Sequence, residues 1–278
     1  MDIERSVAAH YGDEALGRRL LDALASTGLD IERLTVDQLA PVDEFHIGGR
    51  QATAEFAAQL GLRPGLRLLD VGSGIGGPAC YFAQAHGCDV IGIDLTEAFV
   101  RVAADLTRRT GLSTLVSFRQ GSALDLPFAP KSFDGATFFH VGMNIEDKAR
   151  LFASVRTALK PGGFFGIFDL MRVGAGALEF PVPWSSRPET SFVAEPVVYR
   201  KLLEATGFTV VKERNRRDFA LAFFREMREK AAAAKASGRP MIATQLIMGP
   251  DFPDKMRNAM TGVEQGVIAP VELIARAA

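Results

Sequence analysis

The stretch LLDVGSGIGGP, Leu68 to Pro78, decides how the rest of the chain is read. A short apolar run ends in a glycine turn, and helix-forming residues follow. Gly72, Gly74 and Gly77 satisfy G-x-G-x-x-G, and Asp94 comes about 20 residues later. A strand, a glycine turn and a helix N-terminus together offer free backbone N–H groups to a polar ligand. A dinucleotide site such as that for NAD asks for the same spacing, so the motif alone does not choose the ligand.

Outward from this turn, strands and helices alternate. LRLLDV (66–71) reads as a strand and GPACYFAQAHG (77–87) as a helix that Gly87 ends. DVIGID (89–94) is a strand closed by an acid. TEAFVRVAADLTRRTG (96–111) is a helix with Thr96 as its candidate N-cap, Glu97 in the first turn, Arg108 and Arg109 in the last, and Gly111 as its stop. LVSFRQG (115–121) and FDGATFFH (133–140) are strands. DKARLFASVRTALKPGG (147–163) is a helix closed by Pro161 and Gly162, and FFGIFDLM (164–171) a strand. EPVVYRKLLEATG (195–207), FTVVKERN (208–215), FALAFFREMREKAAAAKASG (219–238) and APVELIARA (269–277) read as helix, strand, helix and last strand. The alternation predicts a parallel sheet with helices on both faces. Residues 1 to 60 read as helices, with Leu16, Leu20, Leu21 and Leu24 at helical spacing.

Composition narrows the class. The 278 residues are 47% hydrophobic, enough for one large domain or a domain with a cap, and carry a net charge of −1. Such a balance gives no broad attraction to nucleic acid or to an anionic membrane, and neither partner is expected. Cys80 and Cys88 are too few for a disulfide framework and read as ordinary buried thiols. No H-x-E or C-x-x-C spacing marks a metal site, and no metal is expected. No segment is long and apolar enough to span a bilayer, and the charged N-terminus lacks the apolar core of a signal peptide. A cytoplasmic protein, monomer or homodimer, is the expectation.

In an open α/β sheet the ligand sits at the carboxyl ends of the strands. Asp70 and Gly72 close the first strand, Asp94 the second, Ser122 follows the third and His140 closes the fourth. LLDVGSGIGGP, VIGIDLT, GSALDLPF, SFDGATFFHVGMNIEDK and ALKPGGFFGIFDLM together resemble the class I S-adenosylmethionine-dependent methyltransferases, in order, over roughly residues 60 to 172. The resemblance is to the small-molecule group that includes sarcosine, dimethylglycine and natural-product methyltransferases. It implies an α/β fold, a Rossmann-like parallel sheet with a final antiparallel strand, an N-terminal helical cap (1–60), a core (61–172), and a 173–278 region with a substrate-shaping loop, a helical insertion and the last strands.

The resemblance also implies a cofactor, S-adenosylmethionine (SAM), leaving as S-adenosylhomocysteine (SAH). Asp70, Gly72, Ser73, Gly74 and Gly76 would hold its methionine half. Asp94 and Leu95 would hold the ribose, and Ser122 and Ala123 the adenine, where many members carry an acid in place of Ser122. His140 would face cofactor and substrate, either as a general base, which its titration range suits, or as a structural histidine. Asn144 is a candidate substrate contact, and Asp147 a contact or a helix-capping acid. His46, with Gly48 and Gly49, is either part of a lid or a plain turn. Trp184, the only tryptophan, is either an aromatic pocket wall or an anchor for its Pro-rich loop. The expected reaction is in-line methyl transfer to N, O or S of a small molecule. A cyclase-like SAM enzyme and an NAD-dependent oxidoreductase are the alternatives.

Overall fold

The computed structural model describes residues 3–11, 15–237 and 251–278. Four helices come first: α1 (Ile3–Tyr11), α2 (Leu16–Ser26), α3 (Val36–Asp43) and α4 (Gly49–Ala57). The alternating part is β1 (Arg67–Val71), α5 (Gly77–His86), β2 (Asp89–Asp94), α6 (Glu97–Arg109), β3 (Val116–Gln120), β4 (Phe133–Phe139), α7 (Lys148–Ala158) and β5 (Leu159–Arg172). Then come α8 (Pro196–Ala205), β6 (Phe208–Asn215), α9 (Arg217–Ser237), α10 (Phe252–Glu264) and β7 (Ile268–Ala277). Residue 238, the predicted end of the long helix, lies outside the described residues.

Seven strands form one sheet in the order β3-β2-β1-β4-β5-β7-β6. β1, β2, β3, β4 and β5 run parallel, and β7 lies antiparallel between β5 and β6. Successive strand residues point to opposite faces, and helices cover both. Leu69, Phe138 and Phe165 pack with Leu151 and Phe152 of α7 and Leu203 of α8. Their neighbours Leu68, Phe139 and Phe164 pack on the other face with Phe56 of α4 and Phe82 of α5. This double burial is why these strands read as unbroken apolar runs. Leu16, Leu20 and Leu24, one stripe of α2, join Leu39 and Val42 of α3 and Phe99 of α6 in a further cluster. Among the described residues no helix is long and apolar enough to cross a membrane.

Two local expectations are corrected. The helix predicted over 147–163 stops at Ala158, because the fully buried Leu159 already pairs with Phe133 at the start of β5. Gly162, at a φ of +74°, lies in the irregular stretch where the register shifts. Thr96 flanks α6 without a side-chain cap, since the Asp94 carboxylate accepts the Thr96 N–H at 2.9 Å instead. Asp147 does cap α7, accepting the Arg150 N–H at 2.9 Å.

The chain runs from β1 outward to β3 and then returns to β4 on the other side of β1. The carboxyl ends of β1 and β4 are thus the switch point, where an open sheet leaves a crevice.

Candidate active site

A cavity of about 350 Å³ opens at this switch point. One half is made by turns at strand ends. Gly72 and Gly74 sit at φ +72° and +53°, so the backbone turns sharply after β1. A side chain at Gly77 would run into the Asp43 carbonyl of α3, which is how closely the cap sits on α5.

Two acids frame the glycine turn. Asp70 pairs in register with Thr137 of β4, whose hydroxyl donates to Asp70 Oδ1 at 2.9 Å. The other oxygen, Oδ2, is buried with no protein partner, and burial raises the carboxyl to about 7. Asp94 accepts the Gly74 N–H at 2.8 Å on Oδ2 and the Thr96 N–H on Oδ1, and burial raises it to about 6. Asp94 therefore ties the end of β2 to the turn after β1. The Ser73 hydroxyl is also buried without a protein partner, as is Asp43 Oδ1. Burial, then the charge of Glu44, holds Asp43 well above the carboxylate range.

The residues after β4 form the floor. His140 has a φ of +52°, uncommon outside glycine, and its N–H donates to the Phe168 carbonyl at 2.8 Å. Its Nε2 is buried without a partner, and burial followed by the nearby His46 lowers its pKa well below the usual range. A 3-10 turn, Gly142–Asn144, follows. It is clamped from behind: Gly142 leaves no room for a side chain beside Asp169 and Tyr199, and the Tyr199 hydroxyl donates to Asp169 Oδ2 at 2.6 Å. Lys148 Nζ donates to the carbonyls of Ile145 and Phe192 at 2.8 and 2.6 Å, holding the turn to the loop after β5. Asn144 has a buried, unpartnered Oδ1, and its side chain lies beside the Tyr11 hydroxyl.

The other half of the cavity is apolar and comes from remote segments. Val7 of α1, Ile47 before α4, Trp184 from the loop after β5, Phe223 and Phe224 of α9 and Met256 of α10 line it. The Trp184 indole N–H donates to Ser191 Oγ at 2.9 Å, so the loop holds the ring while one face lines the cavity.

Of the residues named from sequence, Asp70, Gly72, Ser73, Gly74, Asp94, Leu95, Ala123, His140, His46, Asn144 and Trp184 all line this one cavity. Gly76 and Ser122 are not on its wall. Gly76 leaves room for the Phe118 ring, and Ser122 donates to Glu4 of α1 and accepts the Leu124 N–H. Tyr199 stays in the core, whereas Tyr11 reaches the cavity. Both cysteines are buried free thiols. Sequence reasoning offered the Tyr11 and Tyr199 hydroxyls without placing them, and it missed Glu44 and the α9–α10 wall. The Glu44 signal was there to find, an acid two residues before a histidine.

The sheet order defines a Rossmann-like α/β fold in which β7 is inserted antiparallel between β5 and β6. Residues 69–167 match the family model described as a methyltransferase domain. Phosphoethanolamine N-methyltransferase 1 of Zea mays is 33% identical over 184 residues, 66% of this chain and 36% of that protein. Erythromycin 3''-O-methyltransferase of Saccharopolyspora erythraea is 30% identical over 186 residues, 62% of this chain and 61% of that protein. The chain thus spans about a third of the maize relative's length and 61% of the other's. Geranyl diphosphate C-methyltransferase from Streptomyces coelicolor A3(2) shares the fold at a TM-score of 0.70 and 17% identity, with 100% of this chain and 99% of that one covered.

Proposed function

We propose that this protein is a SAM-dependent methyltransferase that moves a methyl group to a nucleophilic atom of a small, largely apolar molecule. The observation that carries it is the buried, unpartnered Asp70 Oδ2 beside an open glycine turn at the switch point. An ammonium group there would supply the partner that carboxylate lacks, and a dinucleotide carries none. Asp70, Ser73 and the N–H groups of the turn hold the methionine half. Asp94 has lone pairs left for ribose hydroxyls, and Leu95 and Ala123 border the adenine. Ser122, turned to Glu4, is not in this set, and α1 closes over that end through it. Gly76 serves by letting the turn pass Phe118.

When bound, SAM supplies a methyl group already activated for displacement. The protein's part is to align the acceptor and exclude water, and positioning of this kind is worth roughly 7–11 kcal/mol. Residues 1–60 act as the cap, 61–172 as the cofactor core and 173–278 as the acceptor-shaping region. Trp184 and the helical wall hold the apolar body of the acceptor, and His46, His140 and Asn144 meet its reacting end. The names of the relatives, N-, O- and C-methyltransferases among them, support methyl transfer without fixing the acceptor atom.

Isothermal titration with SAM, SAH and NADH tests the reading. Micromolar SAM and SAH binding with none for NADH is expected, followed by labelled-methyl transfer to a screened acceptor. Binding of NADH alone would overturn it, and a product of unchanged mass would favour a cyclase.

A further inference from the structure

Two histidines line one cavity, and the protein wires them differently. His46 Nε2 lies 3.1 Å from the Gly49 carbonyl, 3.1 Å from Thr53 Oγ1 and 3.5 Å from Glu44 Oε2. The Thr53 hydroxyl spends its own proton on Glu44 Oε2, at 2.7 Å, and Arg50 Nε donates to Glu44 Oε1 at 2.6 Å. Every group around Nε2 therefore accepts, so Nε2 carries the proton and the lone pair of the neutral ring is on Nδ1. Among the described residues Nδ1 has no hydrogen-bond partner, and the ring lines the cavity. His140, 5.9 Å away ring to ring, has no such support: its Nε2 is buried and unpartnered.

We propose that His46 Nδ1 is the general base that takes the proton of a hydroxyl acceptor, with Glu44 and Thr53 as positioning residues that fix its tautomer. The proposal rests on the methyl-transfer reading above. The acceptor O–H bond breaks and its proton goes to Nδ1. The oxygen pair forms the bond to the methyl carbon, and the carbon–sulfur bond breaks with its pair left on sulfur. The imidazolium so formed lies next to the Glu44 carboxylate, which offsets its charge, and later returns the proton to solvent. His140 has no carboxylate to do this. Its neutral ring is left to contact the bound molecules.

The groups facing His46 are Glu44 on its own segment, Arg50 and Thr53 of α4, His140 after β4, and the rings of Phe139 and Phe168. Burial lowers His46, and Glu44 opposes that. His140 is lowered further, by burial and by His46.

Two measurements test the proposal, and SAM titration tests the reading beneath it separately. The first is imidazole 15N NMR of the SAH-bound protein, which needs no acceptor. Expected are a His46 ring protonated on Nε2, a His46 titration point above that of His140, and a fall of about one pH unit or more in Glu44→Gln. A His46 ring protonated on Nδ1, a higher titration point for His140, or no response to Glu44→Gln overturns the proposal. The second is labelled-methyl transfer to a panel of lipophilic phenols with 2-naphthol at its head. His46→Asn should lower kcat about 100-fold or more at neutral pH with little change in KM, and the deficit should shrink as pH rises and the phenol ionises by itself. An unimpaired His46→Asn enzyme, or a panel with no methylated phenol although SAM binds, overturns it.

Discussion

The two halves of the cavity are built in opposite ways. The strand-end half, proposed to hold the cofactor, is a set of turns directly at the ends of β1, β2 and β3, and much of its chemistry is backbone N–H and short acids. The other half, proposed to hold the acceptor, is gathered from α1, the segment before α4, the loop after β5, α9 and α10, and its chemistry is large apolar side chains. A backbone cradle is fixed by the sheet itself. A wall of side chains on helices can be repacked without moving a strand, so one fold can keep its cofactor and change its acceptor.

The largest test of that contrast is Phe224→Ala. Phe224 is buried on the acceptor side, and its loss should cost about 3–5 kcal/mol in denaturant unfolding while SAM affinity stays within about threefold. A matching drop in SAM affinity would erase the distinction between the halves. Asp70→Asn is the opposite case. It should weaken SAM about 10- to 100-fold by titration, since a charge-assisted contact is worth about 1.5–3 kcal/mol. It should leave the cofactor-free protein as stable or more so, because an uncompensated buried carboxylate is gone.

A pH series sharpens the same point. Burial raises Asp70 to about 7 and Asp94 and Asp169 to about 6, above their unfolded value of about 3.9. Folded-state values above unfolded ones mean stability that is present at acid pH and lost as pH rises through 6 to 7. The cofactor-free Tm should therefore fall between about pH 4 and 7 from this source. SAM binding, which favours charged Asp70, should release protons in that window. Titrations in buffers of differing ionisation enthalpy measure it, and zero proton release at pH 6.5 counts against Asp70 as the ammonium partner. The smallest effect belongs to a helix cap at the cavity's rim: Asp147→Ala should cost about 1 kcal/mol in denaturant unfolding, with SAM affinity within about threefold.

The same contrast explains what could be read from sequence. β1 and β2 fall within a residue or so of their predicted ranges, because short apolar runs bounded by glycine or acid leave few alternatives. The start of β5 was hidden in ALKPGG, whose Pro and Gly read as a stop rather than as an irregular strand entry. Most residues of the strand-end side of the cavity were legible since each lies beside a strand end. Ser122 was named by position, but a side chain from α1 claims it. Phe223, Phe224 and Met256 were invisible as site residues, because an apolar stripe on a helix reads the same whether it faces core or ligand. Tyr199 shows the converse, a polar group absorbed by the core.

The position of β7 reaches beyond the finished molecule to how it is made. A ribosome delivers β5 and β6 first, yet the strand that joins them is β7, residues 268–277. Until that segment leaves the exit tunnel, β5 has an open edge and β6 has no neighbour in the sheet. Closure of this side of the sheet is thereby postponed until residues 268–277 are made, and stalled chains that stop short of Ile268 should stay protease-sensitive after β6 while the β1–β4 region is already protected.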